Sequence, residues 1–183
     1  MHTRVYAGVG SRRAPPEVLQ LIEAIAGARA REGWTLRTGG SPGCDQAFLR
    51  GALAARGAVE LYLPWRGFAR AAWRGGAAVA VSPQPSPLAH ALAAELHPRW
   101  EELPAREHAL LARDCEEVLG ADLSAPAAEL LCWTADGSLD GAGLFEDRTG
   151  QALRVARRAG VPVINLARPE GERRMRRSLV RRG

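Results

Sequence analysis

Short apolar runs that end in glycine, each followed by helical spacing, recur along this 183-residue chain. That alternation restricts the fold more than any other feature. Arg4-Val5-Tyr6-Ala7-Gly8-Val9 reads as a strand closed by Gly10-Ser11. Pro15 and Pro16 open a helix at the turn where a missing N–H is no loss, and Val18, Ile22, Ile25 and Arg29 keep helical spacing up to Gly33. Trp34-Thr35-Leu36-Arg37-Thr38 is a second strand, broken by Gly39-Gly40. Ser41 then reads as an N-cap with Pro42 at the first helical position, and Cys44, Ala47, Phe48, Gly51, Ala52 and Ala55 form a small-residue stripe. Val59-Glu60-Leu61-Tyr62-Leu63 is a third strand, closed by Pro64.

Beyond it the pattern predicts a strand at 77–81, a loop punctuated by Pro83, Pro85 and Pro87, and helices at about 87–96 and 104–119. A strand follows at 129–134, then a glycine-rich loop, then a helix carrying Ala152, Val155, Ala156 and Ala159. The last strand is 161–166, where the early Pro162 points to an edge or a strand start. Strands joined through helices rather than hairpins imply right-handed crossovers and a parallel sheet covered on both faces. The expected fold is α/β, Rossmann-like and doubly wound, with a mainly parallel sheet of about five or six strands. Residues 1–166 form this domain and 167–183 an arginine-rich tail, helical or loose.

The chain has no lysine, so all 25 basic residues are arginine. A Schiff-base lysine, a P-loop lysine and a Ser–Lys dyad are therefore excluded. The net charge of +5 sits entirely after residue 165, where seven arginines face Glu170 and Glu172. The high pI describes that tail and leaves the domain formally neutral. No apolar run reaches the ~18–20 residues of a membrane span, and residues 1–4 lack a signal-peptide core. Cys44, Cys115 and Cys132 are odd in number and far apart, as buried thiols of a cytoplasmic protein would be. His2, His90, His97 and His108 lack ligand spacing, so the reading calls for neither a metal nor a cofactor.

In a doubly wound sheet, ligands sit outside the carboxyl ends of the strands, and three strand ends here join glycine to polar residues. Gly10, Ser11 and Arg12 offer open N–H groups and a guanidinium, though a plain strand-to-helix turn reads equally well. In Thr38-Gly39-Gly40-Ser41-Pro42-Gly43-Cys44-Asp45 the glycines permit close backbone approach. Asp45 reads either as a carboxylate favoured by the helix dipole or as an acceptor for a ribose hydroxyl or a base amine. At the third end, Trp133 and Thr134 precede Asp136-Gly137, and Thr149, Gly150 and Gln151 open a helix whose N-terminus suits phosphate or sugar. Trp133 reads as a base-stacking ring or as a buried core residue. Trp65, Trp73 and Trp100 read as loop or interface packing, or as stacking platforms for single-stranded bases. Together the three ends point to a nucleotide or phosphosugar pocket.

Tyr6-Ala7-Gly8-Val9-Gly10-Ser11-Arg12, the run at 36–48 and Glu60-Leu61-Tyr62-Leu63-Pro64-Trp65 resemble the SLOG superfamily. These Rossmann-like proteins include the DNA-processing protein DprA and the LOG (Lonely Guy) phosphoribohydrolases. The likeness runs on through His97-Pro98-Arg99-Trp100, Ala112-Arg113-Asp114, Val118-Leu119-Gly120, the strand at 132–137, Thr149-Gly150-Gln151-Ala152-Leu153 and Ile164-Asn165-Leu166. It covers residues 5–166 in order and is most like uncharacterised bacterial and phage members.

The resemblance implies a nucleotide-related ligand, lined by Gly10, Ser11 and Arg12, by Gly39, Gly40, Gly43 and Asp45, and by Thr149, Gly150 and Gln151. It also implies a homo-oligomer. Where relatives carry Gly-Gly-Thr-Gly, this chain has Asp147 and Arg148 before Thr149-Gly150. LOG enzymes place a catalytic glutamate in the next turn, and none stands there; Glu146, Asp147 and Asp136 are the substitutes at hand. Asp114 replaces an expected asparagine, so Arg113-Asp114 reads as an ion pair on a helix face. The leading expectation is a nucleotide-binding module that senses or carries its ligand. N-glycosidic hydrolysis of a nucleoside monophosphate and DprA-like binding of single-stranded DNA stand beside it.

Overall fold

In the computed structural model, which describes residues 4–68, 78–82, 84–144 and 148–180, the strands are β1 (Val5–Gly8), β2 (Thr35–Thr38), β3 (Val59–Tyr62), β4 (Ala78–Ser82), β5 (Glu129–Cys132) and β6 (Val163–Asn165). They form one sheet in the order β4-β3-β2-β1-β5-β6, and every pairing is parallel. The helices are α1 (Pro16–Arg31), α2 (Cys44–Ala54), α3 (Pro87–Leu96), α4 (Ala105–Leu119), α5 (Thr149–Ala159) and α6 (Pro169–Val180). This is the expected Rossmann-like doubly wound α/β fold. Among the described residues, no helix is long and apolar enough to cross a membrane. His2, Pro83, Arg181 and Arg182 lie outside the described residues.

Strand alternation sorts the core into two layers. Tyr6, Leu36, Val59, Leu131 and Ile164 face α1, α2 and α6, whereas Ala7, Val9, Leu130 and Cys132 face α3, α4 and α5. On the first face Tyr6 meets Phe48 edge-on, with ring centroids 6.2 Å apart. A Cβ on Gly51 would collide with the Glu23 carbonyl, so α1 and α2 cross backbone to backbone. Cys44, Ala47, Phe48 and Ala52 of the small-residue stripe are buried in this same layer. Pro162 precedes β6, an edge strand, and its carbonyl accepts from the Leu130 amide at 2.8 Å.

Residues 169–180 are not a loose tail. α6 packs Met175, 2% exposed, into the first core layer, and Gly171 lies where a Cβ would strike the Asn165 carbonyl. Its arginines occupy the outer side: Arg176 pairs with Glu172 at 2.7 Å and Arg174 with Glu129 at 3.6 Å. The arginine-rich composition marks a solvated helix face, and one apolar residue per turn is enough to dock it.

Candidate functional site

From β1 the chain winds outward in one direction to β4 and then returns to β5 on the other side, so a crevice opens beyond the carboxyl ends of β1 and β5. A cleft of about 570 Å³ occupies it. Its walls come from the turn after β1, the start of α2, the middle of α4, the loop after β5 and the first turn of α5.

The turn after β1 prolongs the β1–β5 ladder: the Val9 amide donates to the Leu131 carbonyl and the Ser11 amide to the Trp133 carbonyl, both at 3.1 Å. Ser11 Oγ accepts from the Arg13 amide at 3.2 Å, which leaves the side chains of Arg12 and Arg13 exposed at the mouth. A Cβ at Gly10 would lie 2.6 Å from Cys44 Sγ. Gly43 has φ +89°, and a Cβ there would lie 2.6 Å from both Arg12 Cα and the Ser11 carbonyl. These glycines let the two turns interlock.

Ser41 does not cap α2. The helix begins at Cys44 after Gly43, and the Ser41 amide instead donates to Asp45 Oδ2 at 3.1 Å. The Ser41 hydroxyl accepts from Arg113 Nη1 at 3.2 Å, and the same nitrogen donates to the Gly39 carbonyl at 3.2 Å. Gly39 therefore lies beneath the Arg113 guanidinium, where a Cβ would collide with it and with Glu117.

Arg113 is the hub of a buried cluster. Its Nε and Nη2 donate to Asp114 Oδ1 at 3.2 and 2.9 Å, and Glu117 Oε1 lies 2.9 Å from Nε but off the N–H direction. Asp45 completes a set in which one guanidinium faces three carboxyl groups. Burial raises Asp45 to about 6, with Arg113 and the amides of Ser41 and Gly10 pulling the other way. Burial also raises Asp114 to about 6 against the pull of Arg113, and it lifts Glu117 well above the usual carboxylate range. Each carboxyl group of the cluster thus binds its proton more tightly than an ordinary carboxylate does.

The opposite wall is the N-terminus of α5. Thr149 lines the cleft, and Arg148, at the N-cap position, gives the helix no side-chain cap. Arg148 instead grips Glu107 with two hydrogen bonds of 3.0 and 3.1 Å. Arg12 and Arg148 both line the cleft, and burial and then the like charge of Arg148 lower the proton affinity of Arg12. Arg99 and Asp136 complete the mouth.

Of the candidate site residues named from the sequence, Gly10, Ser11, Arg12, Ser41, Asp45, Asp136 and Thr149 line this cleft. The others build its frame. Gln151 is fully buried and turns away from the cleft: its Nε2 donates to the Ala93 carbonyl at 3.1 Å and its Oε1 accepts from Arg154. Thr134 Oγ1 accepts from Asn165 Nδ2 at 2.7 Å, which ties β5 to β6. The Trp133 ring packs into the core layer of α1, α2 and α6. Gly150 makes room for the Leu144 carbonyl, and the carbonyl of Gly40 accepts from Gln46 at 3.4 Å. Trp65 meets Phe68 edge-on and carries Arg106 4.8 Å from its ring centroid, and Trp100 stacks on His108 at 3.9 Å. Trp73, Glu146 and Asp147 lie outside the described residues.

The sequence reading missed Arg113, Asp114 and Glu117 as cleft residues. No local signal marked them: Leu110, Leu111, Ala112, Cys115, Val118 and Leu119 share one side of α4 and Arg113, Glu116 and Glu117 lie on the other, the pattern of a helix with a solvated face, whereas in the fold all of residues 110–119 are buried. Comparison of the chain with protein-family models, with curated proteins and with solved structures finds no match.

Proposed function

We propose that this chain binds a nucleotide or nucleotide derivative in the cleft at the β1–β5 crevice, as a member of the SLOG superfamily that its motifs resemble. One observation carries the reading: Arg12 and Arg148 both line the cleft beside the N-terminus of α5, where Arg148 supplies no side-chain cap. Guanidiniums beside a helix N-terminus form an anion site, because their charge and the helix dipole both favour a phosphate there. The far side of the cleft, with Asp45 and Ser41, offers acceptors and a hydroxyl suited to a ribose or a base. The volume lies within the ~300–1,000 Å³ range of small-molecule sites. Arg12→Ala removes a charge-assisted contact of about 1.5–3 kcal/mol, so calorimetric titration with nucleoside phosphates should show at least a tenfold loss of affinity. Unchanged affinity in this variant would mean that the phosphate lies elsewhere.

A second reading, N-glycosidic hydrolysis, is favoured by one specific observation. Asp45 and Asp114, both raised to about 6, line the same cleft, and a carboxyl group in that range serves as an acid or base near neutral pH. On this reading chromatography detects free base released from a nucleoside monophosphate, and Asp45→Asn lowers the rate by roughly 10²–10⁴. No release above a protein-free control would leave binding alone.

A further inference from the structure

A second cavity, of about 340 Å³, adjoins the cleft, and Arg99 and Arg148 line both. Its remaining walls are His97, Glu102, Leu103, Glu107 and Leu111. The partition between the two spaces consists of ion pairs: Arg148 with Glu107, and Arg99 with Glu102 at 2.6 Å. The four side chains of these pairs are between 28% and 59% exposed, so they can exchange partners without unfolding anything. A diphosphate lying across the partition offers each guanidinium a bidentate anion in place of its carboxylate. When the arginines turn to it, Glu102 and Glu107 are left in the second cavity as unpaired acceptors. A group rich in hydroxyls satisfies them, and Leu103 and Leu111 supply an apolar wall for the C–H face of a sugar ring. Among the described residues no Trp, Tyr or Phe lines this cavity, so the described walls offer a sugar more than they offer a second base, which would use a stacking surface.

We propose that the cavity beyond Arg99 and Arg148 is an extension subsite, and that the ligand is a nucleoside diphosphate esterified to a sugar. Nucleoside and first phosphate occupy the main cleft, the diphosphate spans the two arginines, and the sugar enters the second cavity. The inference rests on the nucleotide reading of the main cleft and specifies its ligand class.

Isothermal titration of the full chain with ADP, GDP and UDP, and with the glucose ester of each, separates the two claims. For at least one base the glucose ester should bind at least tenfold more tightly than the plain diphosphate. That ratio should fall at least fivefold in Glu102→Ala, an exposed change that spares the core, and in Leu103→Trp, which fills the cavity. Diphosphates that bind while their esters bind no better overturn the extension subsite and leave the nucleotide reading standing. A ratio that survives both variants does the same. Absence of binding by all six probes overturns both.

Discussion

Arg113 shows how a single residue sets the chemistry of the cleft floor. A guanidinium buried in α4 is tolerated because backbone and carboxylates surround it, yet it cannot neutralise three carboxyl groups at once. Burial, acting against the pull of Arg113, raises the protonation of Asp45, Asp114 and Glu117. Below about pH 4 Asp114 is protonated whether the chain is folded or not. Between pH 4 and about 6 the folded chain keeps a proton that the unfolded chain releases, so stability falls as pH rises through this window. Asp114→Asn keeps the acceptor for Arg113 and removes the surplus charge. The variant should match the parent near pH 4, lose stability less steeply above it, and be more stable by roughly 1–3 kcal/mol at pH 7–8. Denaturant melts across that range measure the difference, and identical slopes in the two proteins would remove Asp114 from the linked group.

Among the elements, α6 departs most from what composition implies. Its arginines describe the side that faces water, while Met175 and Gly171 decide where the helix sits. Met175→Ala should cost about 2–5 kcal/mol, as expected for a buried large-to-small change, with a loss well under 1 kcal/mol marking a dispensable helix. The other elements were legible because their signals are local. Pro15 and Pro16 start α1, the runs around Leu36 and Leu61 are the buried strands of a parallel sheet, and Gly160 stops α5 in a left-handed conformation. The start of α2 was misread at Ser41 because the capping preference of serine competes with a distant partner: Arg113 Nη1 takes the hydroxyl from 72 residues away. Gln151 and Thr134 were misplaced for the same reason, since their hydrogen-bond partners, Ala93 and Asn165, lie on other elements. The glycines of the 38–45 run point to close backbone approach there, and in the fold what approaches Gly39 and Gly43 proves to be Arg113 and Arg12.

Across the whole molecule, the return of the chain from β4 to β5 divides the sheet into β1–β4 on one side and β5–β6 on the other. The two parts join along the pairing of Tyr6 with Glu129, Ala7 with Leu130 and Gly8 with Leu131, and the cleft opens at the top of that join. Ser11, Arg12 and Asp45 stand on the first part, Arg148 and Thr149 on the second. On the proposed function, a bound nucleotide would act as a rivet between them. At a hundred times its dissociation constant it adds about 2.7 kcal/mol to the folded state. Amide exchange at Val9 and Ser11, whose hydrogen bonds cross the join to Leu131 and Trp133, should slow more than at Leu36, which is bonded within the first part to Ala58. Equal slowing at all three would mean that the occupant leaves the join untouched. Cargo and scaffold are then mechanically one: whatever fills the crevice also decides how readily the two parts of the sheet come apart.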